Sequence, residues 1–150
     1  MTSKLLEDYK LAEPTIRKIY DSSLRIAIID ALSKGPMRLA DLRRAVNSNA
    51  PNTSSKAKDL TAMGLVEREG GDYRLTPYGR AVRNKSEEFF QFYATYEKFK
   101  DFWSTHDTSG IPDFLWARIG ELNNSELVRN IETNPALAYA AEPFPASAGR

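Results

Sequence analysis

The side chains with the widest chemical reach in this chain lie between Arg43 and Arg74. Asn52, Thr53, Ser54, Ser55, Lys56 and Lys58 form a run of short amide and hydroxyl groups with two flexible cations. Amides and hydroxyls can donate to and accept from base edges, while ammonium groups pair with phosphates. Arg43 and Arg44 precede this run, and Arg68 and Arg74 follow it, adding guanidinium groups suited to phosphate oxygens. This is a chemistry of binding rather than of bond making. With one His and no Cys, the chain excludes disulfides and thiolate metal sites and leaves almost nothing for a Ser-His-Asp arrangement. Nor do the residues offer a shared carboxylate pair, a phosphate loop or a metal cluster, so no enzyme activity, cofactor or metal is expected.

The elements that must position these groups can be read from residues 39–76. Leu39, Leu42 and Val46 fall at helical spacing and predict a first helix from about Leu39 to Val46, with Arg43 and Arg44 pointing away from its apolar face. Asn47, Ser48 and Asn49 compete with helical hydrogen bonding and favour a turn. Pro51 suits the first turn of a second helix, Ala57, Leu60 and Met63 supply its inward stripe, and Gly64 suits its end. Leu65 and Val66 begin a strand, and Tyr73, Arg74 and Leu75 resume one after Gly70 and Gly71, which can take the positive φ of a tight hairpin. The expected unit is a helix-turn-helix with a wing. Its second helix would carry the base-reading face, and Arg68 and Arg74 would reach the backbone or minor groove.

Charge divides in the same way. From residue 15 to 85, 14 Lys and Arg stand against 7 Asp and Glu, giving +7; from 86 to 150, 5 stand against 10, giving −5. The net charge of +1 therefore conceals a basic half, as a nucleic-acid module requires, joined to an acidic one. No stretch approaches the roughly 18 apolar residues of a membrane span, and the charged start lacks a signal peptide's apolar region, so a cytoplasmic protein is expected.

Around this unit, the residues up to Pro14 predict a short amphipathic helix without assigned function. Ile16, Ile19, Tyr20, Leu24, Ala27, Ile28, Ala31 and Leu32 predict a scaffold helix closed by Gly35 and Pro36, with two helices meeting at Ser22 and Ser23 as the alternative. Met37 and Arg38 could add a strand to the hairpin. Thr76 and Pro77 read as the cap and first residue of a long helix, nearly thirty residues, with no breaker before Gly110. Phe89, Tyr93, Tyr96, Phe99 and Trp103 recur along it at steps of 4, 3, 3 and 4. So much aromatic surface needs a partner, and a homodimer is expected, with the following segment contributing. Pro112 predicts a short helix through Ile119 closed by Gly120, and Leu122 with Leu127 to Ile131 the beginning of a strand. His106 reads as a helix cap, with ligand binding as the alternative.

On KDLTAMGLVE, LTPYGRAV and DFWSTHDTSGIPDFLWARIGEL, the chain resembles the archaeal winged-helix transcription regulators grouped with the methanogenesis and filament-formation regulatory protein. The resemblance covers roughly residues 20–132. It implies a DNA-binding regulator whose C-terminal domain senses a signal, with an unidentified small-molecule effector. The implied recognition-helix role falls on Asn52, Thr53, Ser54, Ser55, Lys56 and Lys58, and the wing role on Arg68, Gly70, Gly71 and Arg74. This chain would hold only the opening of that domain.

The expected fold is mainly α with a small β-hairpin: a winged helix-turn-helix, a long dimerisation-type helix and a short C-terminal extension. The expected division is 15–76 for the DNA-binding domain, 77–105 for the aromatic-striped helix, 106–133 for the shortened sensing domain, and 134–150 for a disordered Pro/Ala-rich tail. The expected partners are double-stranded DNA and a second copy of the chain, with no membrane. A protein-interaction module working through the aromatic helix is the alternative.

Overall fold

The computed structural model describes residues 1–127 of the chain. The expected tail, the end of the expected sensing segment and residues 128–131 of the expected strand lie outside the described residues. The chain forms two compact units, Met1–Phe90 and the residues from Gln91 onward.

The first unit opens with α1 (Lys4–Tyr20) and α2 (Ser23–Leu32), followed by β1 (Met37–Arg38), α3 (Leu39–Ala45), α4 (Ala50–Ala62), β2 (Val66–Glu69), β3 (Asp72–Leu75) and the start of α5 (Pro77–Lys98). The three strands form an antiparallel sheet in the order β1-β3-β2. This is the expected winged helix-turn-helix, and Met37 and Arg38 do add a strand, pairing with Tyr73 and Asp72. Ile28, Leu42, Ala57, Leu60 and Leu65 are fully buried between the helices and the sheet. That shared core fixes α4 against α2 and α3 and leaves its other side outward.

Two boundaries differ from expectation. The first helix does not end at Pro14 but carries it inside α1. Losing one backbone donor is offset locally: the Ser3 hydroxyl caps Leu6 N–H at 3.2 Å, and Lys4–Asp8 and Arg17–Glu13 pairs span successive turns at 2.7 and 2.8 Å. The scaffold helix is two helices meeting at Ser22, the alternative left open by the sequence. Ser22 takes extended backbone angles, and its hydroxyl accepts from Arg25 N–H at 3.4 Å.

The start of α5 shows why LTPYGRAV reads as it does. The Thr76 hydroxyl donates to the Gly64 carbonyl at 2.6 Å and accepts from Gly79 N–H at 3.0 Å, so one side chain ties α5 to the end of α4. At Gly79 the helix comes so close to the wing that an added Cβ would stand 2.0 Å from the Leu65 carbonyl oxygen. No residue with a Cβ fits there without moving backbone.

In the second unit the long helix is shorter than expected. It stops at Lys98; Phe99 leaves the helical region at φ −108°, ψ 23°, and α6 (Lys100–Thr105) follows. The Phe99 ring is 7% exposed, and its burial replaces helix continuity. Trp103 stacks edge-on against Phe99 and Phe102 and tilts against Trp116 with centroids 5.1 Å apart. The expected helix from Pro112 through Ile119 is also divided. α7 (Asp113–Trp116) ends early, and Gly120 lies inside a separate 3-10 turn, Ile119–Leu122, which takes Leu122 out of the expected strand. A Cβ on Gly120 would meet Phe92 N at 3.1 Å, so this turn packs tightly on the α5 backbone. Buried Thr95 donates to the Asn123 side-chain oxygen at 3.2 Å, and Lys98 Nζ donates to the Asn123 and Ser125 carbonyls. His106 caps α6, its Nδ1 lying 3.0 Å from the Phe102 carbonyl and its ring stacking on Phe102.

Candidate nucleic-acid interface

The turn that aims α4 is built from its asparagines. Asn47 adopts a positive φ of 51°, a conformation its short amide tolerates, and this reverses the chain after α3. The Asn49 side chain then accepts from Asn52 N–H at 2.8 Å, capping α4, with Pro51 in the first turn. With Thr53, Ala57 and Leu60 inward, Asn52, Ser55 and Lys58 are exposed on the opposite side, and Ser54 and Lys56 flank them half-buried. Thr53 does not belong to this face. It is 0% exposed, and its hydroxyl donates to the Asn49 carbonyl at 2.7 Å, so its expected DNA contact is corrected to a role in the core.

Beside the α4 N-terminus, Arg43, Arg44, Asn47, Ser48 and Asn49 line an open polar cleft of about 460 Å³. Arg44 lies 3.7 Å from Asp41, an exposed and weak pair. The cleft therefore offers two guanidinium groups next to the positive end of a helix dipole, a setting that favours an anion.

The wing is tighter than its composition suggested. Gly70 and Gly71 take φ of 59° and 91°, closing a two-residue turn between Glu69 and Asp72. Arg74 is held by Glu67 at 2.7 Å and by Glu69. The Glu67 hydrogen bond raises its pKa further above the ordinary value. Arg68 instead lies over the Tyr73 ring, 5.0 Å from its centroid. Arg68 and Arg74 thus stand on one hairpin with different availability, since Arg74 already has two carboxylates.

A residue pair that sequence reasoning missed sits behind this surface. Arg25 of α2 is buried, and it donates to the Lys18 carbonyl at 2.5 Å, to Asp21 at 2.9 Å and to Asp59 of α4 at 2.7 Å. Hydrogen bonding to Arg25 holds the Asp59 carboxyl below its usual range, opposed by a smaller desolvation effect. The pair ties the α1–α2 corner to α4 and neutralises an acid among its cations. The available signal was an arginine inside the apolar run SLRIAIIDAL, which needs a carboxylate when buried.

The aromatic residues expected to pair two copies do not form one continuous face. Phe89, Tyr93 and Tyr96 are exposed along α5, whereas Phe99 is buried and Trp103 half-buried within the second unit. Phe99 is therefore corrected to an interior residue, because α5 ends before it. Among the described residues, no group of acidic or His side chains could hold a metal, and no helix is long and apolar enough to cross a membrane.

The sequence pattern described as the HVO_A0261 N-terminal domain matches residues 14–98, more than half of the chain and ending at the last residue of α5. The chain belongs to the HVO_A0261 N-terminal domain family. That family is named for an archaeal protein. No curated protein matches the chain in sequence. In structure, this HVO_A0261-type chain is similar to a transcriptional regulator of the MarR family from Enterococcus faecalis V583. The two superimpose at a TM-score of 0.56 with 23% identity, over 67% of this chain and 96% of that one. This is a likeness of fold. The dimethyltransferase RosA from Streptomyces davawensis gives a TM-score of 0.42 at 18% identity, over 93% of this chain and 42% of that one. IdeR from T. acidophilum gives 0.37 at 24%, over 81% and 54%. Both scores are too low to argue from.

Proposed function

We propose that this HVO_A0261-type chain is a sequence-specific, dimeric DNA-binding transcription regulator. The carrying observation is the division of α4: its apolar residues are spent on the core, while Asn52, Ser55 and Lys58 project outward beside the Arg43–Arg44 cleft. A helix presenting small polar groups and cations beside paired arginines suits a major groove with phosphates at its edge. In this reading Asn52, Ser54, Ser55 and Lys56 read base edges; Arg43, Arg44 and Lys58 hold phosphates. Arg68 meets the backbone or minor groove, with Gly70 and Gly71 keeping the wing tip small, and Arg74 joins it by exchanging carboxylates for phosphate. The MarR-family neighbour, itself a transcriptional regulator, supports the same reading. Phe89, Tyr93 and Tyr96 serve the dimer, which gives two recognition helices to one operator. A closer kinship with the methanogenesis and filament-formation regulators, an effector and a cytoplasmic setting belong to this proposal, as does the absence of catalysis.

The test is fluorescence-anisotropy binding to DNA upstream of the chain's own gene and to scrambled DNA, at low and near-physiological salt. The expected result is preference for the upstream DNA that survives the higher salt. Equal, salt-abolished binding to both would reject sequence-specific regulation and favour a protein-interaction role for exposed Phe89, Tyr93 and Tyr96.

A further inference from the structure

The helix α1 has an apolar face longer than its own domain covers. Leu5, Tyr9, Ala12, Ile16 and Ile19 follow at steps of 4, 3, 4 and 3 and share one side of a 3.6-residue helix. At its C-terminal end this face is used: Ile19 is 3% exposed in the core, and the Tyr20 hydroxyl lies 2.5 Å from the Ser86 hydroxyl of α5. Toward the N-terminus the same face emerges into solvent, with Ile16 39%, Tyr9 47% and Leu5 81% exposed. An isolated helix of this length is marginal in water, and the exposed apolar surface of Leu5 and Tyr9 stabilises it only when covered.

The cover it needs is on the same chain. Between α1 and α5 lies a largely apolar groove of about 370 Å³, lined by Ala12, Ile16, Tyr20, Tyr78, Val82 and Lys85 among others. The overhang from Leu5 to Ala12 and the groove wall from Tyr78 to Lys85 are both seven helical steps, about 10 Å. Their charges are complementary in sum: Asp8 and Glu13 already pair with Lys4 and Arg17, but residues 4–13 carry three acids against two lysines, and the groove's charged group is Lys85. Face and groove are two halves of one surface meeting at Ala12, a small side chain that lets two helices approach closely.

We infer that α1 is a pairing arm, its Leu5–Ala12 face lying antiparallel in the α1–α5 groove of a second copy while the partner's arm fills its own. A two-fold axis passes near Ala12, placing Leu5 against the partner's Ile19 end and Tyr9 near the partner's Ile16. This is an isologous contact, in which each patch meets its own complement. Most of the arm precedes the family-matched residues 14–98. The inference deepens the dimer part of the proposed function and is independent of DNA recognition.

The test uses the full chain, whose lack of cysteine makes single introduced thiols informative. In sedimentation equilibrium, Tyr9→Glu is expected to weaken dimerisation by about tenfold or more, a loss of roughly 1.4 kcal/mol. Leu11→Glu, at a residue 84% exposed but off the stripe, leaves it unchanged. Under mild oxidation Ala12→Cys cross-links into a covalent dimer and Leu11→Cys does not. Should Tyr9→Glu also disturb α1, seen as lost helical circular dichroism, the Ala12→Cys cross-link decides. A dimer indifferent to Tyr9→Glu and lacking that cross-link, yet dissociated by Tyr96→Glu, would overturn the arm and keep the dimer. A monomeric wild-type chain would overturn both, and the anisotropy experiment reports separately on DNA.

Discussion

α4 and α1 are both amphipathic helices of the first unit, and they spend their two sides in opposite ways. α4 buries Thr53, Ala57 and Leu60 and leaves amides, hydroxyls and ammonium groups outside; α1 buries Ile19 and leaves Leu5, Tyr9 and Ile16 outside. The chemistry left uncovered indicates what can cover it. Polar groups at α4 lose nothing in water and gain most from a polyanion, whereas the α1 face gains only from another apolar surface.

The sharpest way to break this contrast is to truncate one apolar residue on each helix. Leu60→Ala is expected to cost about 2–5 kcal/mol in urea denaturation, because a fully buried side chain leaves a cavity. Leu5→Ala should change the unfolding free energy of the monomer by less than about 0.5 kcal/mol, its side chain being open to solvent. Equal losses would mean that α1 belongs to its own core as fully as α4 does.

A smaller effect tests the polar side of the comparison. Lys58→Ala should weaken binding to all DNA sequences alike and lower the salt slope by about one, the signature of a lost phosphate contact. Ser55→Ala should shift preference among sequences by about 1 kcal/mol with the slope unchanged. Indistinguishable responses from the two variants in anisotropy titrations would remove the assignment of reading and holding to different residues.

The smallest effect concerns the tie behind α4. Because Arg25 lowers the folded-state pKa of Asp59, the pair's contribution is fully present above the ordinary carboxylate range. It is lost as pH falls through the lowered value. Thermal unfolding should show Tm falling more steeply below about pH 4 in the wild type than in Asp59→Asn, with no difference between their slopes near neutrality.

Much of the winged helix was legible because its signals are local and agree with one another. Asn47–Asn49, Pro51, Gly64 and Gly70–Gly71 each need the backbone they adopt, and the Leu42 and Leu60 stripes point the same way. Pro14 misled because one missing donor in an exposed helix is outweighed by capping and ion pairs along the same element. The length of α5 was misread for a different reason: nothing in the sequence around Phe99 breaks a helix, and the burial of this residue, with Trp103 edge-on to its ring, has no signal there. Arg25 and Asp59, 34 positions apart, meet through the packing of α2 on α4, which periodicity within either helix does not reveal.

The close approach at Gly79 bears on how loss-of-function variants of this protein should be interpreted. Every replacement there introduces a carbon 2.0 Å from the Leu65 carbonyl oxygen, so alleles at this position report damaged architecture whatever the new side chain is. Alleles at exposed Ser55 or Lys58 leave the architecture standing. A genetic screen that recovers both kinds would separate, by position alone, chains that fail to accumulate from chains that accumulate without the DNA recognition proposed for α4.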